Sequence, residues 1–160
     1  MKIAPDRNGL TLIELMVVLA ILAVLAVAVA PNFLSWRGNV NLRGAADNLK
    51  GDLQAAKAGA ARVSSWVVIE FFSDRYQVFV DNGTGPGGMK NDGFLNGTET
   101  VIRQRKLPPG IAIEPGPFAK THFNARGTTG TAGTITLANT RGKRKMLIIS
   151  PMGRIRMQDG

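Results

Sequence analysis

Apolar residues run almost without a break from Leu10 to Ala30. Of these twenty-one positions only Thr11 and Glu14 are not apolar. A helix of that length spans about 31 Å at ~1.5 Å per residue, enough for a hydrocarbon core of ~30 Å. Nothing polar marks a solvent face, which argues against a helix buried in a soluble core. The pattern predicts a membrane-spanning helix over residues 10–30. A secretory signal peptide is the rival, with Lys2 and Arg7 as a basic head and small residues in AVAVA (26–30). The run is long for that role, and Pro31 directly follows the small residues.

After Pro31 the period changes. Leu42, Ala46, Leu49, Leu53, Ala56, Ala60 and Val63 recur at alternating steps of four and three, one apolar stripe along a helix. Arg43, Asp47, Lys50, Gln54 and Lys57 lie off the stripe. Glycines at 38, 44, 51 and 59 weaken the helix by up to ~1 kcal/mol each relative to alanine. Such a helix persists only with its stripe covered, and its small alanines suit packing against a sheet.

From Ser65 the pattern is that of strands. WVVIEFF (66–72) and YQVFV (76–80), joined by Ser73-Asp74-Arg75, predict a hairpin. Residues 81–98 hold six glycines and predict a loop. No Gly-Lys-Ser/Thr ending turns that loop into a phosphate cradle. TVIRQRKL (100–107), IAIE (111–114), TITLA (134–138), KMLIIS (145–150) and RIRM (154–157) supply further strands. One helix followed by a series of strands predicts an α+β fold, with the helix packed on antiparallel sheet in a small two-sheet arrangement.

Charge changes this picture in the second half only. Residues 1–100 carry nine Lys+Arg against nine Asp+Glu, whereas residues 101–160 carry eleven against Glu114 and Asp159, so the whole net charge of +9 lies there. That polarity favours nucleic acid, an anionic membrane or an acidic partner protein. TRGKRK (140–145) places Arg141, Lys143, Arg144 and Lys145 in an expected hairpin turn. GRIR (153–156) spaces Arg154 and Arg156 by two, so in an extended chain both point the same way. Two planar guanidinium forks on one side suit successive phosphates. Basic residues in a turn are also commonly just solvated, or guard an edge strand against pairing.

Catalytic chemistry has little to work with. There is no cysteine and one histidine, His122, so neither a disulfide nor a transition-metal site is expected. The acids show no paired-carboxylate spacing. The chain is expected not to be an enzyme, and to use no cofactor and no metal.

Gly9 followed by LTLIELMVVLAILAVLAVAVAP resembles the leader and helix of type IV pilins and type II secretion pseudopilins. In that family a prepilin peptidase cuts after the glycine and methylates the new N-terminus. The resemblance implies cleavage between Gly9 and Leu10 and N-methylation of Leu10, although the family usually starts its mature chain with Phe. It also implies that Glu14 faces the N-terminal amine of a neighbouring subunit in the filament. A buried charge is tolerable when paired and strongly unfavourable when not, so Glu14 would set the stagger between subunits. Pro31 falls where the family's helix commonly bends. The chain then divides into a leader (1–9), a transmembrane helix (10–30), its amphipathic continuation (31–64) and a globular domain (65–160).

FNARGTTGTAGTITL (123–137) and LIISPMGRIRM (147–157) resemble the globular domain of H-type pseudopilins and FimT-like minor pilins. The matching positions are Phe123, Gly127, Gly133, Thr134, Ile135, Leu137, Gly153 and Arg154. A Gly-Arg-x-Arg tail is a feature of the FimT-like pilins tied to DNA uptake. The resemblance implies DNA as a partner in natural transformation, with Arg154 and Arg156 as principal contacts. Arg141, Lys143, Arg144 and Lys145 would support them. Tyr76 and most phenylalanines sit in apolar strand runs, which leaves no stacking platform for single strands and makes double-stranded DNA the expected form. An H-type minor pseudopilin of a type II secretion system, or a structural minor pilin that primes assembly, remain alternatives. The other implied partners are prepilin peptidase, fellow pilin or pseudopilin subunits and the bacterial inner membrane, with the domain in the periplasm.

Overall fold

A computed structural model of the chain describes residues 11–114, 116 and 118–160, with the side chains of residues 27–32 outside the description. Gly9 and Leu10, the expected cleavage pair, therefore lie outside the described residues. Among the described residues one helix, α1 (Leu12–Val63), precedes eight strands. These are β1 (Trp66–Phe71), β2 (Arg75–Asp81), β3 (Val101–Lys106), β4 (Ile111–Ile113), β5 (Lys120–Phe123), β6 (Gly133–Asn139), β7 (Arg144–Ile149) and β8 (Ile155–Asp159). The helix continues through Pro31 without interruption.

The chain divides into two units between Arg37 and Gly38. In the first, every described side chain from Thr11 to Ala26 is exposed, apolar ones included. Among the described residues no helix is long and apolar enough to cross a membrane. The span expected over residues 10–30 runs past the described side chains at both ends, at Leu10 and at residues 27–30.

The second unit holds the core. Leu42, Ala46, Leu49, Leu53, Ala56 and Ala60 are buried as the stripe predicts, joined by Ala45. Val63, the last expected stripe position, is exposed because the helix ends there. All strand pairs are antiparallel, in two four-stranded sheets ordered β3-β2-β1-β5 and β4-β6-β7-β8. The buried helix stripe forms one cluster with Val67, Ile69, Tyr76, Val78 and Phe123 of the first sheet. Ile111, Ile113, Ile135, Leu137, Leu147 and Ile149 of the second complete it. Alternation places these side chains on one face of each strand; on the other face of the first sheet Val68 and Phe79 are buried as well.

Sequence patterning misses one strand. KTHF (120–123) pairs with β1, setting His122 opposite Val68 and Phe123 opposite Val67. Only four residues long, it buries Thr121 with Phe123, so its inward face shows one apolar residue. Two smaller shifts bear on the basic residues. β7 starts at Arg144, and β8 starts at Ile155, leaving Arg154 in the preceding turn.

Candidate functional site

Among the described residues β8 is an edge strand, paired only with β7. Ile155 and Met157 pack against the core, so Arg156 between them points outward, where it is exposed. Arg154, two residues earlier, is exposed as well. Among the described residues neither lies within salt-bridge distance of a carboxylate.

The turn between β6 and β7 is a second basic group. Asn139 builds it: its side-chain oxygen accepts the backbone N–H of Arg141 and of Lys143, each at 3.0 Å. Its amide reaches Asn39 of the helix at 3.3 Å. Arg141 and Lys143 are thereby held at an exposed tip. Arg144 and Lys145 are differently placed. Arg144 donates to Glu114 at 2.8 Å, and Lys145 pairs with Asp159, directly across the β7–β8 ladder. Lys145 holds the Asp159 carboxyl below its ordinary value, with Lys143 and Arg43 adding smaller pulls. The two acids of the basic half are thus both spent on this turn.

The structure does not bring the two groups together. Arg156 stands opposite Ile148, four residues along β7 from Arg144, which is about 13 Å at ~3.3 Å per residue. Arg154 and Arg156 form one group at one end of the β7–β8 hairpin; Arg141 and Lys143 form another at the opposite end.

The turn that presents Arg154 is tightly built. Gly153 has φ +69°, and a Cβ there would overlap the Gly127 carbonyl oxygen. Only glycine fits a backbone approached so closely at positive φ. Gly127, also at positive φ, has the Lys57 side chain against it. Lys57 crosses between the two glycines and donates to the Gly153 carbonyl at 3.0 Å. Sequence pattern assigns Lys57 to the solvated face of the helix; it is half-buried. Phe123, Ile135 and Leu137 are core. Among the positions that carry the H-type resemblance, these have a packing reason, while Arg154 points to solvent.

At the other terminus, Thr11 and Glu14 close the helix start. The Thr11 backbone N–H and hydroxyl both donate to Glu14 Oε2 at 2.8 Å, and the Glu14 N–H donates to the Thr11 hydroxyl at 3.3 Å. This is a capping box, and its Thr-x-x-Glu spacing is legible in TLIE. Glu14 therefore has a bonding partner within its own subunit.

A family model described as Type II transport protein GspH matches residues 45–153. The chain belongs to the GspH family. The match runs from the helix stripe to Gly153, so it takes in the Gly127–Gly153 contact and every strand but β8, and it stops before Arg154 and Arg156. A second model, the prokaryotic N-terminal methylation motif, matches residues 5–30, which include Gly9, Leu10 and Glu14. No curated protein matches the chain. Among solved structures, the type IV minor pilin FimU of Pseudomonas aeruginosa PAO1 superposes with a TM-score of 0.56 at 19% identity. That match covers 73% of this chain and 92% of FimU. The minor pseudopilin EpsH from the Type 2 Secretion System of Vibrio cholerae gives 0.54 at 13% identity, covering 74% and 97%. This GspH-family chain, by its family model a type II transport protein, thus has the α+β fold of FimU and EpsH. Membership implies assembly with other pilin or pseudopilin subunits and prepilin processing.

Proposed function

We propose that this protein is a minor type IV pilin that binds double-stranded DNA through its backbone, without sequence preference, during natural transformation. The observation that carries the reading is the state of Arg154 and Arg156. Both are exposed on an edge hairpin with no carboxylate in reach among the described residues, while the neighbouring Arg144 and Lys145 are neutralised. Arg141 and Lys143 would add a weaker, separate contact. Phosphate contacts of this kind release counterions, so affinity falls linearly with salt on a log–log scale.

Upstream of that activity, prepilin peptidase cuts between Gly9 and Leu10 and methylates Leu10. Residues 10–30 hold the subunit in the inner membrane, with residues 65–160 in the periplasm, until Glu14 guides it into the filament. The methylation-motif match over residues 5–30 supports this route.

The test is duplex binding by the full-length chain in nonionic detergent across a salt series, beside an Arg154→Gln, Arg156→Gln variant. The expected result is binding by wild type and a salt slope shallower by about 2 in the variant, since each neutralised phosphate adds ~0.9 to the slope. Equal slopes would remove the two arginines from the interface, and no binding at low salt would remove DNA capture altogether. The GspH match favours a second reading, an H-type minor pseudopilin of a type II secretion system. There Arg154 and Arg156 would contact a neighbouring subunit. A purely structural pilin that primes assembly would use them the same way.

A further inference from the structure

The turn bearing Arg154 is docked on another loop, and that loop carries an arginine of its own. Asn124 folds residues 124–128 into a closed turn. Its backbone N–H donates to the Thr128 carbonyl at 3.0 Å, and its carbonyl accepts the Gly127 N–H at 2.8 Å. Its side-chain oxygen accepts the N–H of Arg126 at 2.9 Å and of Thr128 at 3.2 Å. The turn is fixed to the β7–β8 turn at three points. The Gly127 carbonyl lies against Gly153, the Thr129 N–H donates to the Pro151 carbonyl at 3.1 Å, and Lys57 spans both glycines.

Arg126 and Arg154 each adjoin one of the touching glycines. Their Cα atoms are therefore no farther apart than about 14 Å, given ~3.8 Å between consecutive Cα atoms. Arg126 is exposed and, among the described residues, within salt-bridge distance of no carboxylate. A duplex carries one charge per ~1.7 Å of its axis, so several phosphates fall within that span. Sequence spacing hides this neighbour, because twenty-seven residues separate Arg126 from Gly153.

We propose that Arg126 is a third phosphate-contacting guanidinium beside Arg154 and Arg156, so that duplex DNA is gripped across two loops which Lys57 clamps together. The inference rests on the DNA-binding reading above and extends it from a C-terminal tail to a composite surface. Lys57 touches no phosphate and acts by position. Arg141 and Lys143, at the far end of the β7–β8 hairpin, stand outside this grip.

The experiment compares the full-length chain in nonionic detergent with Arg126→Gln, Arg126→Lys and the Arg154→Gln, Arg156→Gln variant. All are titrated with a 30-base-pair duplex of arbitrary sequence, and with phosphatidylglycerol vesicles, over a salt series. Arg126→Gln is expected to flatten the duplex salt slope by about 0.9, the share of one phosphate, while Arg126→Lys keeps the wild-type slope. A flattened slope for the Arg154, Arg156 variant with an unchanged slope for Arg126→Gln overturns the third contact and leaves the DNA reading standing. Wild type that binds vesicles but not duplex, or binds neither, overturns both.

Discussion

His122 illustrates how one residue couples the fold to pH. Its ring stacks on Trp66 with centroids 3.8 Å apart and planes 11° from parallel. Burial pushes its pKa below the ordinary 6.5; nearby Asp81 pulls the other way and Lys120 adds to the lowering. Between the lowered value and 6.5, the unfolded chain binds more protons than the folded one. Stability from this group is therefore full above pH 6.5 and declines as pH falls below it. His122→Phe keeps an aromatic ring on Trp66 and removes the proton. Urea midpoints measured at pH 5.5 and 7.5 should differ less in the variant than in wild type. Equal differences would show that another group sets the acid limb. Asp81, buried beside Glu99 and Asp92, has its carboxyl pushed up, chiefly by burial, so its contribution has the opposite sign from pH 3.8 upward. Comparison with wild type at both pH values separates the two. The sequence shows that His122 is the lone histidine and so no metal site is expected of it; its stacking partner is not legible there, since Trp66 lies fifty-six residues earlier on a different strand.

At the scale of elements, Asp52 ties the helix to the first sheet. It accepts the Tyr76 hydroxyl of β2 at 2.6 Å, Arg103 of β3 at 3.0 Å and Arg105 of β3 at 3.1 Å. The carboxylate is 8% exposed, whereas the arginines are 49% and 36% exposed. The two ion pairs are thus partly solvent-screened, and the larger loss on removing Asp52 falls on the buried Tyr76 hydroxyl. Asp52→Ala is expected to cost about 1–3 kcal/mol in chemical denaturation, the range for a buried donor left unpaired. Adding Tyr76→Phe should recover part of that loss, because the orphaned hydroxyl is gone; strictly additive losses would break this account. The helix stripe was legible because apolar spacing survives as burial from Leu42 to Ala60. The Asp52 cluster was not, since its members are spread over fifty-four residues and its three charged members read locally as solvated. β5 escaped for a related reason: a buried threonine pair, Thr121 and Thr129 hydroxyls 3.0 Å apart, occupies a place where patterning expects an apolar residue. The basic tail was legible as charge, but ion pairing divided it. Arg144 and Lys145 went to Glu114 and Asp159, and Arg126 joined Arg154 only through the Gly127–Gly153 contact.

For the whole molecule, the question is what covers the N-terminal helix. Its described apolar side chains are exposed, Leu12 by 77% and Val24 by 71%, while the buried core cluster falls wholly in the unit from Gly38 onward. In the proposed route, lipid covers these side chains first and neighbouring subunits cover them later. Glu14 then has two candidate roles, because the capping box with Thr11 already engages it within one subunit. Glutamine separates them: it serves a capping box as glutamate does, but it carries no charge to offer a neighbour's N-terminal amine. If the charge sets the stagger, Glu14→Gln accumulates in the membrane at wild-type level. It also shows the mass of a chain beginning at methylated Leu10, yet is depleted from sheared filaments at least tenfold, the factor that ~1.4 kcal/mol of missing pairing gives. If the cap is what matters, Glu14→Gln enters filaments as wild type does while Glu14→Ala does not. Immunoblots of sheared and membrane fractions, with mass spectrometry of the N-terminus, distinguish the two. Normal incorporation of both variants would leave the carboxylate without a part in assembly.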